Sequence, residues 1–217
     1  MATALGCIVV FALLGLMQCT PQPLFPLQLT ANIEITAHQI PAESEFPPRT
    51  RRMVIYYDYI NKRSRADIEE GYEAAKTYIR RYDLKNEYMI RLAPIDDCKR
   101  SYLGEKMPFP EIPDETSYVG ERDVDGIKTN YYLFEDYDIR IHMYFNGKTG
   151  APVRLHEESV EGDGIAAPLL TYDYSQVELG SPDELLFELQ EPYSHGTCDR
   201  HLGGFPYLHV FHYFARF

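Results

Sequence analysis

From Leu27 to His38 the chain alternates apolar and polar positions without a break. Leu27, Leu29, Ala31, Ile33, Ile35 and Ala37 share one parity, and Gln28, Thr30, Asn32, Glu34, Thr36 and His38 the other. Successive side chains of an extended strand point to opposite faces, so the pattern predicts a strand with one buried face. Arg52 to Tyr59 is rich in strand formers, Asn61-Lys62 reads as a turn, and Arg63 to Glu69 reads as a more polar, edge-like strand. Thr77 to Tyr82 and Glu87 to Leu92 flank Asp83 to Asn86 and predict a hairpin. Ile127 to Phe134 follows Asp125-Gly126, while Ile139, Ile141, Met143 and Phe145 alternate strictly before Asn146-Gly147. Both dipeptides tolerate the positive φ that tight hairpin turns need. Val153 to His156 reads as the returning strand and Leu169 to Val177 as a later one.

Helix signals are few. Ser181-Pro182-Asp183-Glu184 before Leu185-Leu186-Phe187 has an N-cap serine, proline at the first helical position and an acid at the third, which predicts a short helical turn. Pro108-Phe-Pro-Glu-Ile-Pro113, followed by Asp114 to Val119, predicts a crossing connection with room for another turn. No repeat, low-complexity run or linker divides residues 21–217. The expected fold class is mainly β (α+β): one curved antiparallel domain with small helical additions and an aromatic C-terminal tail (Phe205, Tyr207, Phe211, Tyr213, Phe214, Phe217).

Residues 1–20 hold no charged side chain, and Cys7 to Met17 is an apolar stretch of the length of a secretory h-region. Gln18-Cys19-Thr20 and Pro21-Gln22-Pro23 follow, so residues 1–20 are expected to be a cleaved signal peptide that leaves no integral membrane span. Its removal leaves Cys98 and Cys198. In an oxidising lumen that pair is expected to form one disulfide, the alternative being two buried thiols. The formal net charge of −12 lies wholly on the mature chain. It argues against a nucleic-acid partner, which demands excess cation to displace counterions, and against anionic membrane surfaces.

Motifs that would carry catalysis fail one by one. Four of the seven His (His195, His201, His209, His212) cluster near Cys198, but no spacing matches a zinc ligand set. Glu121-x-Asp123-x-Asp125-Gly126 imitates the start of a calcium loop, yet Tyr132 stands where the bidentate Glu is required. Gly162-Asp-Gly-Ile-Ala-Ala167 runs into Pro168 where a dinucleotide-binding helix would continue. The acid pairs Glu69-Glu70, Asp96-Asp97 and Glu157-Glu158 sit on alternate faces of extended chain and do not converge. No catalytic residue, metal or cofactor is therefore expected.

A surface property remains. The chain has 18 Tyr and 11 Phe but no Trp, and a curved sheet with such rings on its inner parity would form a concave apolar cavity, or one filled by its own side chains. The candidate lining is Ile33, Ile35, Ile55, Tyr57, Ile90, Tyr131, Ile141 and Met143. Arg63, Arg65 and Arg154 are candidates for an anionic head group at its rim, with surface charge as the alternative. A lipid or other apolar small molecule is the expected ligand, and a protein partner is left unspecified.

Arg52-Met-Val-Ile-Tyr-Tyr-Asp58 with Arg63-Ser-Arg65, Leu92-Ala-Pro-Ile-Asp-Asp-Cys98, Tyr118-Val-Gly120, Gly150-Ala-Pro-Val-Arg-Leu155 and Ser181-Pro-Asp-Glu-Leu-Leu-Phe187, ending in Cys198, form a series of spaced motifs. The series resembles the N-terminal domain of secreted papain-like proteases of the insect haemocyte and slime-mould counting-factor-associated type, and more distantly ependymin-related proteins. The resemblance implies a LolA-like half-barrel with short helices in its mouth, binding of lipids or other hydrophobic molecules, and a secreted or endolysosomal (vacuolar) setting. The chain carries no papain-type nucleophile motif, so proteolysis is not carried over. It is expected to be this non-catalytic domain standing alone, as a ligand carrier or as a protein-interaction accessory domain.

Overall fold

A computed structural model of the chain describes residues 23–71, 74–110, 112–160 and 164–205. The predicted signal peptide, all of the aromatic tail after Phe205, His209 and His212 lie outside the described residues. The strands are β1 (Gln28–Ala37), β2 (Thr50–Asp58), β3 (Arg63–Glu70), β4 (Lys76–Arg81), β5 (Asn86–Arg91), β6 (Asp97–Tyr102), β7 (Ser117–Val124), β8 (Ile127–Glu135), β9 (Ile139–Asn146), β10 (Pro152–Val160), β11 (Ala166–Leu179) and β12 (Asp199–Arg200). They form one open 12-stranded sheet in the order β12-β6-β5-β4-β3-β2-β1-β11-β10-β9-β8-β7. Every pairing is antiparallel except the short parallel β12–β6 contact.

The order amounts to two meanders joined at β1–β11. One runs outward through β2 to β6, and the other returns from β7 through β10. Chain connectivity therefore puts the end of β6 and the start of β7 near opposite edges, and residues 103–116 must cross the sheet between them. This crossing strap buries Leu103, Met107 and Ile112. Met107 and Ile112 join the main core with Ile33, Ile55, Met143, Leu155 and Tyr172 from one parity of the strands. That parity is called the inner face below. Phe205 enters the same core: Glu87 Oε1 accepts from its backbone N–H at 3.0 Å, and an Arg80 guanidinium N–H donates to its carbonyl at 3.2 Å.

A smaller cluster sits on the outer face, where Ile79, Tyr88 and Ile90 pack around the Cys98–Cys198 disulfide. The bridge lies where β12 pairs with β6. The expected disulfide is thus present.

Several sequence expectations change. Arg63 to Glu69 is no edge, because β3 pairs with both β2 and β4. Its outward charges are internally matched: Arg63 Nε donates to Asp58 at 3.0 Å and Arg65 Nε to Asp67 at 2.9 Å. β6 is not foreshadowed by the pattern, and neither is β7, whose start overlaps the stretch expected to be a connection. Asp125 and Gly126 adopt φ of 50° and 81°, the paired positive values of the tight turn expected there. Asn146-Gly147 instead opens a longer connection in which Gly150 takes the positive φ, while Asn146 Oδ1 accepts from the Lys148 and Thr149 N–H groups at 2.9 and 3.2 Å.

The short helices expected in the mouth are absent among the described residues, which hold a single 3-10 turn at Glu184–Phe187. Asp183 rather than Ser181 caps it, accepting from Leu185 N–H at 2.9 Å. The turn lies against the outer parity of β3, where Arg65 donates to Leu186 O at 2.9 Å and the Arg63 guanidinium sits 4.6 Å from the Phe187 ring centroid. Helix needs a stripe of apolar residues to bury, and this segment offers only Phe187 as a buried side chain.

The disulfide closes a loop with a sequence separation of 100 residues. In the chain-entropy account such a loop is worth about 4.7 kcal/mol. The double variant C98S/C198S is expected to lose between about 2 and 5 kcal/mol of unfolding free energy in urea titration with an unchanged far-UV spectrum. A loss below about 1 kcal/mol would mean that the two chain ends of this loop are held together equally well without the bond.

Candidate functional site

Two surfaces compete for the role of binding site, and strand parity assigns each residue to one of them. Ile33 and Ile35 on β1, Ile55 and Tyr57 on β2, and Ile141 and Met143 on β9 all join the inner core. The strap covers this face: Tyr57 Oη donates to Pro108 O at 3.3 Å, and the Phe109 ring meets Tyr59 edge-on at 5.1 Å between centroids. Ile90 and Tyr131 point the other way. On β5 it is Met89 that joins the inner core, and on β8 it is Tyr132 and Phe134, so their neighbours in sequence face outward.

Two hydroxyls on the covered side carry an electrostatic burden. Among the described residues, the buried phenol oxygen of Tyr174, on the inner parity of β11 beside Phe25, has no hydrogen-bond partner, and neither does Thr116 Oγ1 at the end of the strap. Burial, with a smaller contribution from Tyr172, pushes the Tyr174 phenol well above its ordinary value. An unsatisfied buried hydroxyl costs about 1–3 kcal/mol.

The three arginines proposed for a rim separate. Arg63 is buried on the outer parity against Asp58, whose carboxylate also accepts from Gln28 Nε2 at 2.8 Å and Asn61 Nδ2 at 2.8 Å. Burial raises the Asp58 pKa, but these hydrogen bonds together outweigh it and hold the carboxyl below its usual range. Arg65 ties the 3-10 turn to β3. Arg154 alone lines an open groove, where it pairs with Asp173 and with Asp125 at 3.0 Å.

That groove is the outer-face site, with a volume of about 590 Å³. Asp125 belongs to the β7–β8 turn, whereas Arg154 lies on β10, separated from β7 by β9 and β8. The hairpin tip therefore folds over the outer face to form one wall. Beside and across its floor runs a chain of polar contacts through β8, β9, β10, β11 and His38, the residue after β1. Tyr131 Oη meets His142 Nδ1 at 2.7 Å, and His142 Nε2 meets Glu158 Oε2 at 3.1 Å. Glu158 Oε1 lies 3.6 Å from His156 Nε2. His156 Nδ1 and His38 Nε2 then share the Thr171 hydroxyl at 2.8 and 2.7 Å. Tyr131, Tyr144 and His142 stack with interplanar angles of 12°.

Burial, followed by the nearby His142 and His38, lowers the His156 pKa against the opposing pull of Glu158. Glu158 itself is lowered: burial raises it, but the His142 hydrogen bond and the His142, His156 and Arg140 charges outweigh that. Sequence reasoning misses this cluster because its three histidines are far apart along the chain. Of the four C-terminal histidines that draw attention in the sequence, the two among the described residues are otherwise employed: His195 Nδ1 meets Tyr88 Oη at 3.0 Å, and His201 stacks on Phe205. Asp123 Oδ1 accepts from Gly126 N–H at 2.8 Å within its turn. Among the described residues no group of His, Cys, Asp or Glu is arranged to hold a metal ion, and no helix is long and apolar enough to cross a membrane.

No protein-family model matches the chain, and no curated protein sequence matches it. Among solved structures, an uncharacterized conserved protein from Thermus thermophilus superposes with a TM-score of 0.51 and 9% identity, over 81% of this chain and 91% of that one. The likeness is one of fold alone. MucB, solved in complex with MucA(peri), gives a TM-score of 0.44 at 12% identity over 76% of this chain and 54% of its own.

The depressed His156 pKa fixes a sign. Above about pH 6.5 the imidazole is neutral folded and unfolded alike, whereas below it the unfolded chain takes the proton first, so acidification costs stability. Unfolding free energy is expected to fall from about pH 7 to about pH 5 with a steeper slope in the native chain than in H156Q. Urea titrations at intermediate pH values check this, and identical slopes would show that His156 takes up its proton equally in both states.

Proposed function

We propose that the chain is a non-enzymatic binding protein of a secreted or endolysosomal lumen that holds a lipid or other apolar molecule between the strap and the inner face of the sheet. The observation that carries this reading is the kind of cover the face has. An apolar surface running from β4 through β9 is closed by irregular chain rather than by a strand layer or a helix. Pro108, Pro110 and Pro113 have no N–H to offer the sheet, and the Met107, Ile112 and Phe109 side chains pack against it beside the Tyr57 Oη–Pro108 O hydrogen bond. An apolar ligand can replace contacts of that kind without leaving a ladder of broken backbone hydrogen bonds. The buried Tyr174 hydroxyl supplies a polar group for the head of such a ligand.

The resemblance to the N-terminal domain of secreted papain-like proteases supports the lumenal setting, as does the disulfide. The reading assigns no catalytic residue. A second reading, a protein-interaction or accessory domain, draws on the near-complete burial of the inner face: Ile55 is 0% and Met143 1% exposed, as in a face packed for good.

Solvent extraction of natively purified protein followed by mass spectrometry, together with titration of a fluorescent fatty acid, tests the proposal. Co-purifying lipid or saturable probe binding is expected. Y174F is expected to weaken a fatty-acid probe about fivefold to tenfold while leaving the empty protein as stable or more so, since it removes an orphan hydroxyl. Absence of both lipid and probe binding would overturn the carrier reading in favour of the interaction domain.

A further inference from the structure

The outer-face groove lies on the opposite side of the sheet from the proposed apolar site and does not depend on it. Its charges are arranged unusually. At neutral pH the carboxylates of Asp123, Asp125 and Asp173 outnumber the guanidinium groups of Arg122 and Arg154 in its lining. Arg154 is engaged by two of those acids. Arg122 is different: it donates to the Glu121 carbonyl at 3.0 Å and lies 5.5 Å from the Tyr131 ring centroid, while no acid pairs with it among the described contacts. His38 and His156 complete the lining. Protonating these two imidazoles changes the formal charge of the lining residues from net negative to net positive, with Glu158 just beyond the lining beside His156.

We propose that this groove is an acid-activated anion site, taking a small molecule through a tetrahedral oxyanion or carboxylate group when His38 and His156 are protonated and releasing it near neutrality. Imidazole is the side chain whose charge changes between pH 5 and 8, the interval that separates an acidic lumen from the cell exterior. Arg122 supplies the permanent cation. The Thr171 hydroxyl already bridges the two imidazoles on the groove floor and orients both. Tyr144, in its stack with Tyr131 and His142, gives the groove a planar apolar wall beside the charged one.

The neighbouring titratable groups pull on His156 in both directions: burial, His142 and His38 oppose its protonation, and Glu158 favours it. From β9, His142 faces His156 across 5.6 Å between ring centroids, and Arg140 lies 3.5 Å from Glu158. From β10, Glu158 faces both His142 and His156, and its lowered pKa keeps it ionised in mild acid. From β8 comes Tyr131, from β11 Asp173, and from the β7–β8 tip Asp123, Asp125 and Arg122. An anion bound beside His156 would oppose the lowering of its pKa that burial, His142 and His38 produce. Binding reciprocity then requires the anion to raise the His156 pKa by the same factor by which protonation raises anion affinity.

Inorganic sulfate and formate are suitable probes, because each keeps a constant charge across the range. Titration of the full mature protein by calorimetry at about pH 5 and about pH 7.5, at fixed ionic strength, is expected to show affinity about tenfold or more higher in acid for at least one of them. Stronger sulfate binding assigns the tetrahedral class, and stronger formate binding assigns the carboxylate class. R122Q is expected to weaken binding at both pH values, whereas H38Q/H156Q removes the pH dependence. Histidine ring resonances followed by NMR report folding of each variant and, in the native chain, an upward move of the His156 titration when the bound probe is present. Equal affinity at the two pH values, no saturable binding of either probe in acid, or an unmoved His156 titration would overturn the proposal.

Discussion

The length of the strap is the constraint on which the shape of the molecule depends. Ten inter-strand spacings separate β6 from β7, which is about 48 Å on a flat sheet at about 4.8 Å each. The strap leaves β6 at one end of the strands and enters β7 at the other, so a flat sheet would require a diagonal longer than about 50 Å. Residues 103–116 reach only about 50 Å when fully extended. They are not fully extended, since Thr116 N–H turns back to Pro113 O at 3.0 Å. The sheet must therefore curl toward the strap, and the side it curls toward becomes the inner face. Curvature here is imposed by a chain too short to cross otherwise, and the burial of Leu103, Met107 and Ile112 is its consequence.

Curling one face inward leaves the other to be managed by polar chemistry. On β3 and β4 that face is closed by charge: Asp58 with Arg63, Asp67 with Arg65, and Arg81 with both Asp83 and Glu188. The 3-10 turn and the disulfide cover what remains there. On β1 and β8 to β11 the covering is incomplete, and the folded tip of the β7–β8 hairpin leaves the groove that holds the histidines. The same strands thus carry apolar residues on one parity and a hydrogen-bonded imidazole row on the other.

Parity explains how much can be read in the sequence. β1 and β9 are legible because one face of each is apolar and the other polar. β7 is not, because it is an edge strand exposed along most of its length and has no buried parity to mark it. β3 misleads for the opposite reason: arginines and aspartates that are half-buried in ion pairs look, in sequence, like residues facing water. Of the candidate cavity residues, Ile90 and Tyr131 fall on the wrong parity since β5 and β8 are buried on both faces and do not alternate.

The histidine cluster is beyond sequence reasoning for a more specific cause. His142 and His156 are direct cross-strand partners in the β9–β10 pairing only because a register shift between Pro152 and Arg154 inserts Val153 as an extra residue. Counting back from the Asn146-Gly147 connection without that bulge pairs His142 with Leu155 and Met143 with Arg154, which mixes the two faces. A one-residue slip in a strand exchanges every side chain between faces. The bulge restores agreement: Met143 meets Leu155 inside, and His142 meets His156 outside. One inserted residue thus keeps the core apolar and assembles the imidazoles, so neither face of β10 can be re-registered without undoing the other.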